Sequence, residues 1–526
     1  MDRLKKFYLN GILMTVVAIV IRYVSVNFNI YISNKIGAVS MGIFTLVSSV
    51  YGFALTIATS GISLATTKLV SEALGRDTRN SKYNLSKTVN AIMKKSLLFS
   101  LIISFSTAVA LFVSADFLGE VVLGDIRTVS SLKILAFSLP AIATSSSLGG
   151  YFTALRRVYK NAVVQIISQT LRIYLCVILL GLSMANNMES ACVALVIGIT
   201  ISEIAGFLFH FVMYLFEKRK QVCVGSQSLG DPSLASRLLP ITIPVALSAY
   251  MRSALITIEH LLIPWGLEKS GASRDISLAA YGTVHSLVFP LILFPAAISS
   301  SFAGLLVPEI SESDAASDKE RIERIISRVL KTVIIYSVGV AGIMMCLSYE
   351  FGEIFINEKS SAVYIAMLAP LIPIMYLDTS VDSILKGLGY QFYSMIINIT
   401  DATLSVILVW ILLPRFGIMG YIATVYFTEI INATLSITKL LVVTKTKVKI
   451  FDWIAKPLLS IIISTCSVRL ILMITNRHLI SKTSLFIFIC FIALIYFAVL
   501  IMLRAISPKN IKQSIKNFLR TKEKSQ

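Results

Sequence analysis

Long hydrophobic runs separated by short polar loops are the dominant pattern of this chain. A run of about 19 or 20 largely apolar residues is long enough to cross a bilayer as an α-helix. Fourteen such runs can be placed, at 11–33, 41–65, 91–114, 129–152, 162–183, 191–216, 239–265, 277–303, 328–348, 362–386, 393–413, 418–443, 454–474 and 483–505. The pattern therefore predicts an all-α polytopic membrane protein with 14 transmembrane helices.

The polar loops between these runs alternate in charge. Lysine and arginine are concentrated at the N-terminus, in the 66–95 loop, at 156–160, at 218–220, at 319–331, in the 439–456 loop and in the C-terminal tail, whereas the intervening loops hold few basic residues beside acidic ones such as Asp116, Glu120 and Glu189. Cytoplasmic loops of membrane proteins have an excess of Lys and Arg. We therefore expect a multi-pass protein of the cytoplasmic membrane with both termini in the cytoplasm.

An internal repeat divides the hydrophobic runs into two sets of six. Arg22 of the first run and Arg252 of the seventh are 230 residues apart, and the segment near 148–167 resembles the one near 384–399 at a similar offset. Repeats with the same membrane orientation are typical of transporters that bind substrate at mid-membrane. The repeat predicts two pseudo-symmetric six-helix lobes, followed by two extra helices and a basic cytoplasmic tail. The predicted regions are, in that order, 1–220, 221–445 and 446–526.

Composition and motifs exclude several other classes of protein. Hydrophobic residues make up 56% of the chain and charged residues 14%, against about a quarter charged in soluble domains. The excess of 48 Lys and Arg over 28 Asp and Glu follows from membrane topology, so no nucleic-acid partner is expected. Six scattered cysteines indicate neither a metal site nor a disulfide framework. Phosphate-binding, nucleophile-elbow and HExxH motifs do not occur, so we expect a protein that is not an enzyme.

Arg22 and Arg252 are the first candidates for substrate binding. A guanidinium group inside a hydrophobic run is costly unless it faces protein or water, and such groups are functional by default. Arginine suits a diphosphate because its planar fork donates two hydrogen bonds to adjacent oxygens. The alternative is an interhelical salt bridge, for instance of Arg252 with Glu259 or Glu203.

A second candidate is a polar stripe on the fifth run. Gln165, Gln169 and Arg172 are spaced i, i+4 and i+7, so they lie on one face of a helix. The stripe can hydrogen-bond a sugar or a pyrophosphate. It can equally be a set of interhelical hydrogen bonds.

Oxygen-bearing side chains inside other runs are candidates for ion coupling. They are Glu259, Asp378, Asn398 and Asp401, which offer ligands for Na⁺ or steps for a proton. We expect no other cofactor. Structural pairing is the alternative, and Asp378 has no obvious partner in the sequence, whereas Lys386 can neutralise Asp382 one helical turn away.

Two segments of the chain resemble a known family. They are SVYGFALTIATSGISLATTKLVSEALGR at 49–76 and GGYFTALRRVYKNAVVQIISQTLRI at 149–173, the latter with Ala162 and the Gln165, Gln169 and Arg172 stripe. Both are similar to the stage V sporulation protein B family, relatives of polysaccharide transporters and lipid II flippases within the multidrug/oligosaccharidyl-lipid/polysaccharide exporter superfamily. The resemblance implies a MATE-like exporter fold of two six-helix lobes with two extra helices.

The resemblance also implies a function. A member of this family is expected to move an undecaprenyl-diphosphate sugar across the cytoplasmic membrane in the service of spore cortex peptidoglycan. Related lipid II flippases carry essential arginines in a central cavity. The resemblance implies the same role here for Arg22 and Arg252. The implied partners are a lipid-linked anionic substrate, membrane lipids and cell-wall synthesis enzymes.

Two other functions stay open at this stage. An ion-coupled multidrug or small-molecule antiporter would depend on acidic residues such as Glu259, Asp378 or Asp401 more than on arginines. A non-transporting scaffold for cell-wall enzymes would depend on the basic loops instead.

Overall fold

The described residues of the computed structural model are helical nearly throughout, and no β-strand occurs among them. The structure describes residues 2–77, 85–183, 188–220, 234–299, 310, 313, 318–356, 359–446, 451–475 and 482–505. Its α-helices, numbered here in chain order, are α1 Asp2–Thr59, α2 Ile62–Asp77, α3 Leu85–Phe117, α4 Arg127–Ala136, α5 Leu139–Ala154, α6 Val158–Ser183, α7 Met188–Lys220, α8 Leu234–Lys269, α9 Arg274–Gly282, α10 Phe289–Leu293, α11 Lys319–Cys346, α12 Ser348–Phe351, α13 Lys359–Leu368, α14 Ile372–Gly387, α15 Gln391–Phe416, α16 Ile418–Thr444, α17 Lys456–Thr475 and α18 Lys482–Met502. The predicted all-α membrane fold is confirmed. The basic tail from residue 506 onward lies outside the described residues.

Eleven of the described helical stretches are long and apolar enough to cross a membrane, or twelve if α4 and α5, which are bent by 41°, form one span. This is fewer than the fourteen predicted runs, and the number fourteen is not established. One stretch, Ile19–Ala73, contains most of the first run and all of the second. The run at 239–265 lies on α8, which is not among the eleven.

The chain forms two compact units. The first unit contains Met1–Ser286 and Asn398–Tyr421, and the second contains Leu287–Ile397 and Ile422–Gln526. These units are defined by which residues pack together. The lobe boundaries inferred from the sequence repeat remain a prediction.

Helix α1 is interrupted at Gly37, between the first two hydrophobic runs. The backbone there has φ 81° and ψ 165°, which is not a helical conformation. Residues with a side chain are essentially excluded from this region, and glycine adopts it without a steric penalty. Gly37 therefore separates the helical segment that carries Arg22 from the segment that continues to Thr59.

Two glycines let α1 and α9 approach each other closely within the first unit. A Cβ atom on Gly42 would overlap the carbonyl oxygen of Leu278, and one on Gly282 would overlap the backbone of Gly42 and Ala38. Small residues at a helix crossing are typical of membrane proteins, in which van der Waals packing drives helix association. The crossing therefore depends on the absence of side chains at both positions.

In the second unit, tyrosine hydroxyl groups bind backbone carbonyls where the chain is broken near Pro295. The Tyr376 hydroxyl donates to the carbonyl oxygen of Ile292 at 2.7 Å, and the Tyr336 hydroxyl donates to that of Pro295 at 3.0 Å. Proline removes a helical hydrogen bond. The two tyrosines therefore add side-chain hydrogen bonds to carbonyl groups at this break, and the amide of Ile298 also donates to the Pro295 carbonyl, at 3.2 Å.

The last two helices, which the repeat leaves outside both sets of six, pack on α11 in the second unit. Ile461 of α17 lies against Gly342, and Tyr496 of α18 lies against Gly339. Arg469 of α17 donates to both carboxylate oxygens of Glu350, at 2.9 and 3.2 Å. An ion pair and two glycine contacts therefore attach these helices to the unit.

The crossing of α1 and α9 predicts that Gly42→Ala destabilises the protein. The added methyl group must displace the Leu278 backbone, and overpacking of this kind costs about 1–3 kcal/mol. We expect a lower midpoint of thermal unfolding for the purified protein in detergent. Gly52→Ala, on the same helix with open space around the added Cβ, is the matched control and should unfold at or above the wild-type temperature. An unchanged midpoint for Gly42→Ala would contradict the close crossing.

Candidate functional site

The polar stripe on α6 lines a cavity of about 480 Å³ within the first unit. Gln165, Gln169 and Arg172 all contribute to its wall, and Asn161 extends the stripe by one helical turn. Other lining residues come from α1, α2, α5 and α7 and include Ser145, Glu203 and His210. The three stripe residues predicted from the sequence thus lie together on one cavity wall.

An ion pair between Arg172 and Glu203 lies on the wall of this cavity. The guanidinium Nη2 donates to the Glu203 carboxylate, and the two side chains are 29% and 22% exposed. Gln169 donates to the Ser25 hydroxyl of α1 at 3.1 Å. A second cavity of about 310 Å³ is also lined by Gln169, Arg172 and Glu203. The ion pair therefore lies where the two cavities meet.

Arg22 lies on α1 beside residues that line these cavities. Its side chain is half-buried and takes part in at least one polar or electrostatic interaction. The preceding residue, Ile21, lines the larger cavity, whereas Ser25 and Asn29 line the smaller one. Arg22, Ser25 and Asn29 are spaced i, i+3 and i+7, so they form a polar face of α1.

Arg252 lies on α8, also within the first unit, and its side chain is exposed. Two nearby side chains hold α8 against α1: Tyr250 donates to the carbonyl oxygen of Ile57 at 3.1 Å, and Thr257 donates to that of Ser49 at 3.2 Å. Within the described part of the chain, Arg252 forms no ion pair with Glu259 or Glu203. Its positive charge instead interacts electrostatically with the carboxylate group of Asp401.

Glu259 and Asp401 form an acidic pair between α8 and α15. The Glu259 carboxylate accepts a hydrogen bond from Ser405, which lies one turn along α15 from Asp401. The Glu259 and Asp401 carboxylates also interact electrostatically. Asp401 Oδ1 is buried and has no hydrogen-bond partner among the described residues. Asn398 precedes Asp401 by three residues, so it lies on the same side of α15. The structure thus brings Glu259 and Asp401 together, and Asn398 shares a face of α15 with Asp401.

The fourth, Asp378, belongs to the second unit. Its Oδ2 accepts a hydrogen bond from Asn432 Nδ2 at 3.2 Å, a partner that the sequence did not indicate. Asp382 binds Lys386 at 2.5 Å, as the i, i+4 spacing indicates, and also accepts a hydrogen bond from Ser394. No group of three or more His, Cys, Asp or Glu side chains able to hold a metal occurs in the described residues.

Sequence reasoning missed several residues of the larger cavity. Asn161 could have been found by continuing the i, i+4 spacing one turn back from Gln165. The sequence carries no local signal that places His210 on this cavity, and nothing local marks Glu203 as the partner of Arg172, because the two lie 31 residues apart on different helices.

Two family models together match most of the chain. One, described as polysaccharide biosynthesis protein, matches residues 8–268, and one described as MatE matches residues 271–411.

Individual proteins show the same relationship. The chain is 23% identical over 425 residues to stage V sporulation protein B of Bacillus subtilis (strain 168), covering 79% of this chain and 80% of that protein. It is 21% identical to lipid II flippase MurJ of the same organism, covering 72% of each chain. A solved structure of lipid II flippase MurJ in an inward closed conformation has a TM-score of 0.67 at 14% identity, covering 94% of this chain and 98% of that one. The structural likeness supports the fold.

The ion pair on the cavity wall predicts that Arg172→Gln and Glu203→Gln each lower stability. Removing one partner leaves a partly buried charge uncompensated, which we expect to cost about 1–3 kcal/mol at this exposure. The double variant should recover most of the loss, because neither charge remains. Thermal unfolding of the purified protein measures this. Lys386→Gln, which breaks the exposed pair with Asp382, is the control and should have a much smaller effect. Losses that simply add in the double variant would show that the pair is not coupled.

Proposed function

Because this chain belongs to the multidrug/oligosaccharidyl-lipid/polysaccharide exporter superfamily of membrane transporters, we propose that it moves an undecaprenyl-diphosphate sugar across the cytoplasmic membrane. The substrate is a lipid-linked cell-wall or polysaccharide precursor. Its prenyl tail stays in the lipid while the protein carries the polar head group past the membrane interior.

The observation that carries this proposal is Arg22 on the polar face of α1. Its guanidinium group is half-buried within a hydrophobic run, in line with Ser25 and Asn29, which line a cavity. A cation held at this depth is costly in lipid and suits an anionic cargo. The fork of Arg22 would bind the diphosphate, with Arg252 as the second diphosphate residue and the Gln165, Gln169 and Arg172 stripe as further contacts.

The setting of this activity is also a proposal. Similarity to a stage V sporulation protein supports a role in spore cortex peptidoglycan synthesis, which would bring the transporter together with cell-wall synthesis enzymes. The charge bias of the loops supports an orientation with both termini in the cytoplasm. The protein would act as a carrier and not as a catalyst.

Removing the Arg22 charge should strongly slow translocation. In proteoliposomes that contain a labelled polyprenyl-diphosphate sugar, we expect Arg22→Ala to reduce the translocation rate at least about tenfold, because a charge-assisted hydrogen bond contributes about 1.5–3 kcal/mol. Arg22→Lys should retain part of the rate, since lysine keeps the charge but not the fork. Arg328→Ala, at an exposed position of α11, is the matched control and should transport normally. A full rate for Arg22→Ala at normal membrane levels would refute the proposal.

Energy for transport would come from an ion gradient. The acidic pair of Glu259 and Asp401, with Asn398 and the Ser405 hydroxyl beside it, offers oxygen ligands for Na⁺ or a place for a proton. Asp378 in the second unit is a separate candidate. The acidic pair and the MatE match at 271–411 also favour a second function, ion-coupled export of small molecules. Efflux of cationic dyes from a sensitised host would support that second function.

Imposed gradients test the coupling site. Wild-type protein in proteoliposomes should transport faster under either a Na⁺ or a proton gradient, and the effective gradient identifies the ion. Glu259→Gln should lose this acceleration and keep transport down a substrate gradient, because it removes the charge that the ion neutralises. Glu353→Gln, an exposed acid elsewhere, should behave as wild type. Acceleration that survives in Glu259→Gln would place the coupling elsewhere.

A further inference from the structure

Three buried polar atoms without hydrogen-bond partners among the described residues belong to one cavity. They are Asn161 Oδ1, Arg172 Nε and His210 Nε2, and all three residues line the 480 Å³ cavity of the first unit. A buried polar atom that makes no hydrogen bond costs about 1–3 kcal/mol, so each of the three would be stabilised by a hydrogen bond to a water molecule or a ligand. Their presence on one cavity makes that cavity a candidate recognition site.

His210 is the most deeply placed of the three. It is 7% exposed, and its Nδ1 is engaged by the Ser145 hydroxyl at 2.6 Å. Its ring is stacked on Phe152, with a centroid distance of 6.0 Å. These two contacts fix the ring, so Nε2 is held in place for a ligand. Depending on the tautomer that Ser145 selects, Nε2 either donates or accepts a hydrogen bond.

The charge of this cavity is already balanced. Arg172 and Glu203 are the charged residues that line it, and they pair with each other. An anion such as a diphosphate would compete with Glu203 for the guanidinium group and be repelled by the carboxylate. A neutral ligand meets neither obstacle. The cavity therefore favours a neutral molecule that forms many hydrogen bonds.

The arrangement of donors and acceptors narrows the ligand class further. Asn161 Oδ1 accepts, Arg172 Nε donates and His210 Nε2 does one or the other, while the Gln165 amide can do both. Sugars carry closely spaced hydroxyl and acetamido groups. These groups can hydrogen-bond a cavity wall that contains both donors and acceptors. The volume lies within the range of about 300–1,000 Å³ that is usual for small-molecule sites.

We propose that this cavity binds the neutral saccharide of the transported molecule and does not bind its diphosphate. The proposal rests on the proposed function for the identity of the cargo. It assigns the diphosphate to Arg22 and Arg252 and the sugar to the cavity lined by Asn161, Arg172 and His210. Arg172 then acts as a hydrogen-bond donor through Nε and not as a free cation.

Binding of a free sugar tests this inference without any transport. The full-length protein in nanodiscs is titrated with N,N′-diacetylchitobiose, a neutral disaccharide, and binding is followed by saturation-transfer NMR of the sugar protons. Inorganic pyrophosphate serves as the competing probe. We expect the disaccharide to bind wild-type protein and pyrophosphate not to displace it. Displacement by pyrophosphate, or the absence of disaccharide binding, would overturn the proposal.

Two substitutions of His210 separate recognition from structure. His210→Gln places an amide nitrogen near the Nε2 position and loses the Ser145 hydrogen bond, whereas His210→Asn keeps a group near Nδ1 and loses Nε2. A sugar site predicts disaccharide affinity within about threefold of wild type for His210→Gln and a loss of at least about tenfold for His210→Asn. A purely structural histidine predicts the reverse order, and that result would overturn the inference.

Two further variants test the roles of charge and Nε. Arg172→Lys can still pair with Glu203 but lacks an Nε–H group, so it should lose at least about tenfold in disaccharide affinity. Glu203→Gln leaves the guanidinium charge unbalanced and should allow pyrophosphate to bind. Wild-type behaviour of either variant would contradict the assignment.

The translocation assay keeps the two proposals apart. Normal sugar binding in a protein that does not translocate a polyprenyl-diphosphate sugar would remove the proposed function alone. Normal translocation by a protein that binds no free disaccharide would remove the saccharide site alone.

Discussion

The cost of holding polar and charged groups away from water governs the first unit of this protein. An unpaired charge in hydrocarbon is expensive, so it must meet a partner, a cavity or a ligand. Arg172 has both a partner and a cavity, because it pairs with Glu203 and lines two cavities. The contact between α6 and α7 therefore does more than pack two helices. It keeps a neutralised guanidinium group beside hydrogen-bonding space.

The same constraint acts on the backbone of the second unit. A carbonyl group that loses its helical donor inside a membrane needs another one. Tyr376 and Tyr336 supply hydroxyl groups to Ile292 and Pro295 where the helix breaks. Tyrosine is suited to this task because its ring is apolar while its end is a hydrogen-bond donor. Side chains of the same unit thus hydrogen-bond the backbone where the helix breaks.

Local patterns in the sequence predicted the helices and the side chains that share a helix face. The Gln165, Gln169 and Arg172 stripe is an example, since helical spacing alone places these residues together. The partners of such residues were not predictable, because a partner depends on which helices become neighbours and on how each is rotated. Glu203 for Arg172 and Asn432 for Asp378 both belong to this second kind. The hydrophobic pattern likewise did not predict the interruption at Gly37, since the residues on both sides of it have the hydrophobicity of a membrane helix.

The conformation of Gly37 has a consequence for the direction in which Arg22 points. Each α-helical segment is stiff, so the two backbone dihedral angles at the interruption set the rotation of everything that precedes it. The backbone angles of that one residue therefore set the direction, around the helix axis, of the polar face formed by Arg22, Ser25 and Asn29. Glycine is achiral and accepts angles that every L-amino acid with a side chain resists. The absence of a side chain at Gly37 thus determines the direction in which the guanidinium group of Arg22, several helical turns away, points.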